Sequence, residues 1–545
     1  MVYPRRPGLF RHAGVNRPSL LALTEFRFKD RSAMEAAAKQ SHAELVNLFL
    51  ENACADPLLA NGPAAHSRRS HTAHRILKHH PEIARENIHT AVVCGDIQEV
   101  ERILSTQPTA ATEPGGPQRR RHLKEREKLW TPLLHLCYGR LPSLASENAV
   151  VIARLLLDHG ADANDFFECG DHPNRYTALC GVAGEGEDDA PPHPQREELA
   201  RLLLERGANP YDGQLFYNTH FHNRILWILK LVYEYSGKAG HQADWDDPNW
   251  SMLNMGGFGC GARYFLGNAI SHNNIELVEW LLKHGASPNA PPSTHPRTPK
   301  GSLPEEALRL GHTEIADLLI RYGAKPTPPI VREGIEQFAE VCFRLDREKA
   351  RELVNLHPDY LNSSVPISRA ARRGRADVVE LLLDLGVSIE IENENKQRPL
   401  HIAACHDSIE VAKLLIARGA DLEAVESNWN NTPLDFALYG DLPRMTQLLS
   451  DVSNDVFRLT WCGNLERLRH VLNVKPNLAK LVDDGSTPLM WLPDNEALAV
   501  EAVELLIRHG ADPSVRSKEG KTAVDYAEGR ALYDAAELLR RASSI

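Results

Sequence analysis

At 545 residues the chain is longer than one hydrophobic core normally serves, so several domains or a stack of repeats is expected. Its 42% hydrophobic and 25% charged residues are ordinary for a globular protein and exclude a disordered or collagen-like chain. The formal net charge of −11 argues against whole-chain affinity for nucleic acid or for an anionic membrane.

Residues 1–32 carry Arg5-Arg6 and the apolar run Leu20-Leu21-Ala22-Leu23, which is too short for a signal-peptide core, and a flexible segment is expected there. Helical patterns over 36–50 and 74–84 predict an N-terminal helical cap within 33–86. The most apolar stretch, 225–232, is broken by Lys230 and is far below membrane-spanning length. Nine scattered cysteines form no Cys-x-x-Cys pair. That predicts no zinc or redox site, and a reducing, cytoplasmic compartment.

From residue 87 onward two phrases alternate. One is a run of leucines, a charged residue or two, then Gly-Ala, as in Leu155-Leu156-Leu157-Asp158-His159-Gly160-Ala161 and Leu202-Leu203-Leu204-Glu205-Arg206-Gly207-Ala208. It returns at Gly285, Gly323, Gly386 (followed by Val387), Gly419 and Gly510. Such a glycine closes a helix in the left-handed conformation. From Gly386 to Gly419 is 33 residues, whereas Gly323 to Gly386 is 63, close to two units with one degraded phrase between.

The other phrase opens each unit. Thr432-Pro433-Leu434-Asp435-Phe436-Ala437, Thr487-Pro488-Leu489-Met490 and Arg398-Pro399-Leu400-His401-Ile402-Ala403 are examples. Proline suits the first helical turn, and a preceding threonine can cap it. After a short break, Ile409, Val411, Ala412, Leu414, Leu415 and Ile416 give a second helix with one wide apolar face. Each unit is thus helix, turn, helix, loop. One pair cannot bury its apolar face alone, but stacked neighbours can.

The chain therefore resembles the ankyrin repeat family, whose Thr-Pro-Leu-His-x-Ala and Leu-Leu-Leu-x-x-Gly-Ala phrases are met closely at 398–422 and partly at 131–164. About thirteen units are expected between 87 and 541, giving an all-α solenoid of stacked helix-turn-helix units with extended loops. Repeats with insertions are expected over 87–325, and regular repeats with a C-terminal cap over 326–545. The resemblance implies a protein-binding scaffold that works through its concave face. Repeat histidines such as His135 and His401 are expected to serve the turn network.

Insertions map to loops and often to the working face. They fall at 111–130, 165–176, 184–195, 238–262 and 291–298, which points to the first 300 residues for any specialised site. The insertion 238–262 is rich in aromatics and acids, the composition of interaction hot spots. Tyr217, Trp245, Trp250 and Phe258, with Arg120 and Arg121 on the basic insert, are the candidate partner-binding residues. The bland alternative is a loop whose tryptophans cover neighbouring helices.

His220 and His222 with Asp244, Asp246 or Asp247 have the donor types of a metal site, but His-x-His is a weak pattern among 25 histidines, and no metal or cofactor is expected. Glycines 257, 259 and 261 lack the strand before and helix after that a phosphate loop needs. The run 185–189 followed by Pro191-Pro192 predicts a mobile loop. No catalytic site is expected, the partner being another protein. The competing reading is an enzyme or small-ligand binder with its pocket at 210–267.

Overall fold

In the computed structural model the described residues are 42–55, 62–117, 129–141, 144–169, 174–186, 189–220, 223–253, 260–292, 301–325 and 333–543. Helix pairs occupy each of the thirteen expected windows, from Ile88–Cys94 with Ile97–Thr106 to Ala523–Gly529 with Tyr533–Ser543. In one pair the first helix is reduced to the 3-10 turn Pro488–Met490, followed by the helix Glu496–Arg508. The chain divides into two compact units, Ala43–Val331 and Arg332–Ile545.

Within the second unit the repeat is cleanest. Thr432 opens the helix Pro433–Tyr439: its hydroxyl accepts the Asp435 N–H at 3.3 Å, and the Asp435 carboxylate accepts the Thr432 N–H at 2.8 Å. Two donors that a helix start leaves unpaired are satisfied reciprocally. Thr522 and Asp525 repeat the device at the helix Ala523–Gly529. The closing phrase behaves as its glycine requires. After the helix Ile409–Ala417, Gly419 takes φ 86°, its N–H bonds the Ile416 carbonyl at 3.0 Å, and the Ala420 N–H reaches back to Leu415 at 3.0 Å.

The degraded phrase between Gly323 and Gly386 is a second kind of ending. The helix Arg347–Leu356 stops at His357, whose φ −134° and ψ 75° precede Pro358, and the 3-10 turn Pro358–Asn362 then tucks Tyr360 into the core. The same backbone recurs at His80 before Pro81, Gln107 before Pro108 and Lys475 before Pro476. Proline disfavours the α conformation in the residue before it, so the helix ends without a glycine.

Stacking builds the core of the second unit as two clusters. One buried cluster runs from Phe338 to Leu449 and another from Val456 to Leu539, built mostly from Leu, Ala, Val and Ile of both helices in each pair. The first unit adds the helices His42–Ala53 and Pro63–His79 ahead of the repeats. The chain just after the first of these lies along the helix Pro132–Tyr138: the Ala55 N–H donates to the Tyr138 carbonyl at 2.7 Å and the Arg140 N–H to Ala53 at 2.8 Å.

Two insertions of the first unit take structure of their own. Phe166–Cys169 (β1) pairs antiparallel with Asn174–Thr177 (β2), placing Phe167 opposite Tyr176. Phe167 stacks between Trp130 and Tyr176 with ring centroids 4.7 and 5.4 Å apart. Of the acidic run 185–189, expected to be mobile, residues 187 and 188 lie outside the described residues, while its two ends are tied down. Glu185 is buried and exchanges backbone bonds with Ala190, and the Gly186 N–H donates to Asn218 at 3.1 Å. Glycines 184 and 186 let the chain double back, which puts Glu185 inside rather than in solvent. Among the described residues no helix is long and apolar enough to cross a membrane.

Candidate interaction surfaces

The loop 241–253 folds onto its own unit. Trp245 and Trp250 are 3% and 0% exposed, with ring centroids 4.9 Å apart at right-angled tilt. Tyr233, from the helix Leu226–Lys238, meets the Trp245 ring at 5.0 Å, and Trp280, from the helix Ile275–Lys283, lies 6.3 Å from Trp250. Backbone bonds close the seam: Ser287 N–H to Pro248 at 2.8 Å and Ala262 N–H to Asn249 at 3.0 Å. Gly261 starts the next helix so close that a Cβ there would lie 2.8 Å from the Trp250 carbonyl. The two tryptophans therefore fill the groove between neighbouring helices, and neither presents its ring to a partner in this fold. Burying such large apolar rings outweighs leaving them as exposed anchors.

Of the other expected contact residues, Tyr217 is half-buried on the helix Gly213–Thr219, and its ring lies 5.3 Å from that of His220. Arg120, Arg121 and Phe258 fall outside the described residues, as does His222. His220 is buried, its Nδ1 against the Tyr217 carbonyl. Asp247 is committed to the N–H groups of Asn249 and Ser251 at 3.0 and 2.9 Å, and hydrogen bonds from Ser251 and the backbone hold its carboxyl below the usual range. His220 and the three aspartates are thus not gathered around one point. Among the described residues no group of three His, Cys, Asp or Glu side chains could hold a metal ion.

A cavity lined by Tyr138, Arg140, Tyr176, Cys180, Glu185 and Asn218 has about 20 Å³ of free space, enough for roughly one water. Arg140 donates there to the carbonyls of Pro191, Cys137, Gly139 and Gly181 at 2.5–3.0 Å, and burial pushes its pKa down to about 10. This guanidinium ties its own turn to two other segments of chain, at Gly181 and Pro191. Its N–H groups are spent on backbone, so they are not aimed at a substrate.

The second unit shows the more open surfaces. In the loop before Thr432, the Glu426 carboxylate is 1% exposed and accepts the N–H groups of Asn428 and Trp429 at 2.7 Å and of Asn431 at 3.2 Å. That buried hub holds Trp429 out at 40% exposure. His401 braces the same loop from below. Its Nε2 lies 2.9 Å from the Ala424 carbonyl, and its Nδ1 accepts the Arg398 N–H at 3.2 Å, so the turn network takes this histidine as expected.

On the first helices, half-buried aromatics meet edge to face across successive repeats. Tyr439 lies 5.3 Å from Trp461, Trp461 is 6.1 Å from Trp491, and Phe457 is 5.4 Å from Trp491. The Trp491 indole N–H donates to Ser486 at 2.7 Å. This set lies beyond the first 300 residues, to which the insertions point. Its only linear signal is a large aromatic near the end of several consecutive first helices.

With this geometry in hand, family models for ankyrin repeats match three segments: three copies over 367–460, and single repeats over 262–290 and 484–518. The chain is an ankyrin-repeat protein. Curated relatives agree. The putative ankyrin repeat protein YahD of Escherichia coli is 27% identical over 200 residues, covering 34% of this chain and 96% of its own length. Ankyrin repeat and KH domain-containing protein mask-1 of Caenorhabditis elegans is 25% identical over 74% of this chain, but only 14% of its own length is matched. The potassium channel KOR2 of rice is 44% identical over 69 residues, which is 10% of that channel. The solved complex of the predatory endopeptidase Bd0816 from Bdellovibrio bacteriovorus with immunity protein Bd3460 matches 37% of this chain and 96% of the matched one, at 23% identity and a TM-score of 0.25. So low a score bears on nothing beyond the match itself. Ankyrin repeats are in general protein–protein interaction modules.

Proposed function

We propose that this ankyrin-repeat protein is a scaffold that binds other proteins through its loop tips and the concave face carried by its first helices. The observation that supports this is the Glu426 hub. A buried carboxylate holding three backbone N–H groups keeps an exposed tryptophan in place before any partner arrives. Contact residues already ordered lose little conformational entropy on binding, so more of the interface energy appears as affinity. Tryptophan is enriched among the residues that dominate interface energetics. We assign the protein to the cytoplasm on the scattered spacing of its nine cysteines.

The test is capture by the full chain from a native extract, followed by cross-linking mass spectrometry. Cross-links at the loop-tip lysines Lys396 and Lys518 support the reading. Cross-links confined to Lys283, Lys349 and Lys413, all on second helices, would place the partner on the opposite surface and reject it.

A further inference from the structure

Two neighbouring loop tips of the second unit are bonded together and leave an aromatic ring outside. The Ser427 N–H and hydroxyl both donate to the Asn395 carbonyl, at 3.0 and 2.9 Å, which fastens the loop 426–431 to the loop 393–397 of the repeat before it. Each loop is also closed on itself. The Glu426 N–H donates to the Asn431 carbonyl at 3.1 Å, and the Asn393 N–H to that of Gln397 at 3.0 Å. On this base Trp429 and Val425 stand at 40% and 48% exposure. Trp429 is pinned through its backbone N–H, and among the described residues its ring meets no other aromatic ring and no cation.

The charge around the ring is almost all of one sign. Segments 388–397 and 421–431 hold six carboxylates against a single lysine, Lys396. Five of the six are engaged. Arg398 pairs with Glu390, Glu392 and Asp421 at 2.8, 3.5 and 3.1 Å, and Glu423 accepts the Ser453 hydroxyl at 2.8 Å. Glu426 is spent on its three N–H groups. Glu394 is exposed beside Asn395 and has no hydrogen bond or ion pair among the described residues. Consecutive Cα atoms are about 3.8 Å apart, so Trp429 lies at most two steps from Ser427, and Glu394 one step from Asn395.

We propose that these two loop tips dock an arginine-bearing basic segment of a partner protein, one guanidinium lying on the Trp429 ring and a second cation pairing with Glu394. Tryptophan is the best cation–π platform among side chains. Arginine, planar and weakly hydrated, is the cation suited to stack on it. The carboxylate left over beside the ring fixes the sign of the segment's charge, and the net charge of −11 draws such a segment in. Both tips are ordered beforehand, so little chain entropy is lost on docking. The inference rests on the scaffold reading and names the class of partner for it.

The experiment pans the full chain against a random sixteen-residue peptide library and measures the enriched sequences as fluorescein-labelled peptides by polarisation. Enrichment of two basic residues close together, arginine above lysine, is expected. Trp429→Ala should weaken such a peptide at least tenfold, and Trp429→Phe should weaken it less, since the smaller ring keeps part of the platform. Glu394→Gln should weaken it at least threefold, and should hardly affect a counterpart with its second basic residue replaced by glutamine. Trp429 keeps its backbone N–H in every variant, so the Glu426 hub is retained and lost binding reads the ring. Acidic or neutral consensus sequences, no enrichment, or peptides indifferent to either Trp429→Ala or Glu394→Gln would each overturn the docking site. A native-extract partner that still cross-links at the loop tips in any of those cases would show that this site failed and the scaffold did not.

Discussion

The carboxylate of Asp435, in the first turn of one repeat, is clasped by Arg458 of the next. Nε donates to Oδ1 at 2.8 Å and Nη2 to Oδ2 at 2.6 Å. Asp435 is fully buried and Arg458 only 15% exposed, and the same carboxylate takes both the N–H and the hydroxyl of Thr432. Asp455 braces the guanidinium from the other side. One side chain thus joins a helix cap to the interface between repeats.

Removing either member leaves a buried charge without its partner. Asp435→Ala or Arg458→Ala should destabilise the second unit by about 3–5 kcal/mol. Hydrogen exchange of the full chain reads this directly: protection should fall in 433–475 while helix 88–94 keeps its own. Unchanged exchange in 433–475 would show that the pair is dispensable.

Trp250→Ala should cost about 3–5 kcal/mol by opening a cavity among Trp245, Trp280 and Leu253. Gly261→Ala tests the same seam from the other side. Its added methyl meets the Trp250 carbonyl at 2.8 Å and the Leu253 Cβ at 2.9 Å, so about 1–3 kcal/mol of strain is expected. Both variants should raise proteolytic cleavage within 241–253. Cleavage no faster than in the parent chain would mean that the loop is held by something other than its tryptophans.

At Gly419 nothing stands within 4 Å of a would-be Cβ, yet φ is 86°. Gly419→Ala should therefore cost only the left-handed backbone, roughly 1–2 kcal/mol, with Gly419→Asn costing less. Equal losses in the two variants, measured by urea unfolding, would point to a steric cause instead.

Acid should loosen the first unit. Burial, opposed by the charge of Glu113, pushes the His89 pKa from 6.5 down to about 4; burial together with the Arg140 charge pushes His193 down to about 3. Both rings are thus neutral in the fold but take a proton near 6.5 once unfolded. Their stability is fully present above pH 6.5 and is lost as pH falls toward 4 and then 3, by up to about 3 kcal/mol for His89 and about 5 kcal/mol for His193. Urea unfolding at several pH values, followed by exchange in 88–94, should show this slope. Replacing both histidines with glutamine should flatten it, and a parent chain insensitive to pH between 6.5 and 4 would contradict it.

What the linear order of residues determined was everything that acts within a few positions: the Thr-Pro starts, the Gly-Ala stops, the thirty-three-residue period, and hence the stacked helix pairs and their family. Caps and left-handed closures depend on neighbours in the chain, so their residues announce them. The proline endings at His357 and Lys475 are harder to read in the sequence because a pre-proline break carries no glycine, although the backbone result is as regular.

Side-chain destinations were decided by the tertiary structure alone. Trp245 and Trp250 have the composition of a binding loop, and only their meeting with Tyr233 and Trp280 shows that they are interior. Tyr439, Trp461 and Trp491 stand 22 and 30 residues apart, and stacking brings them into one row. Burial and pairing are relations between distant segments, fixed by which repeat lies against which, and no local pattern encodes them.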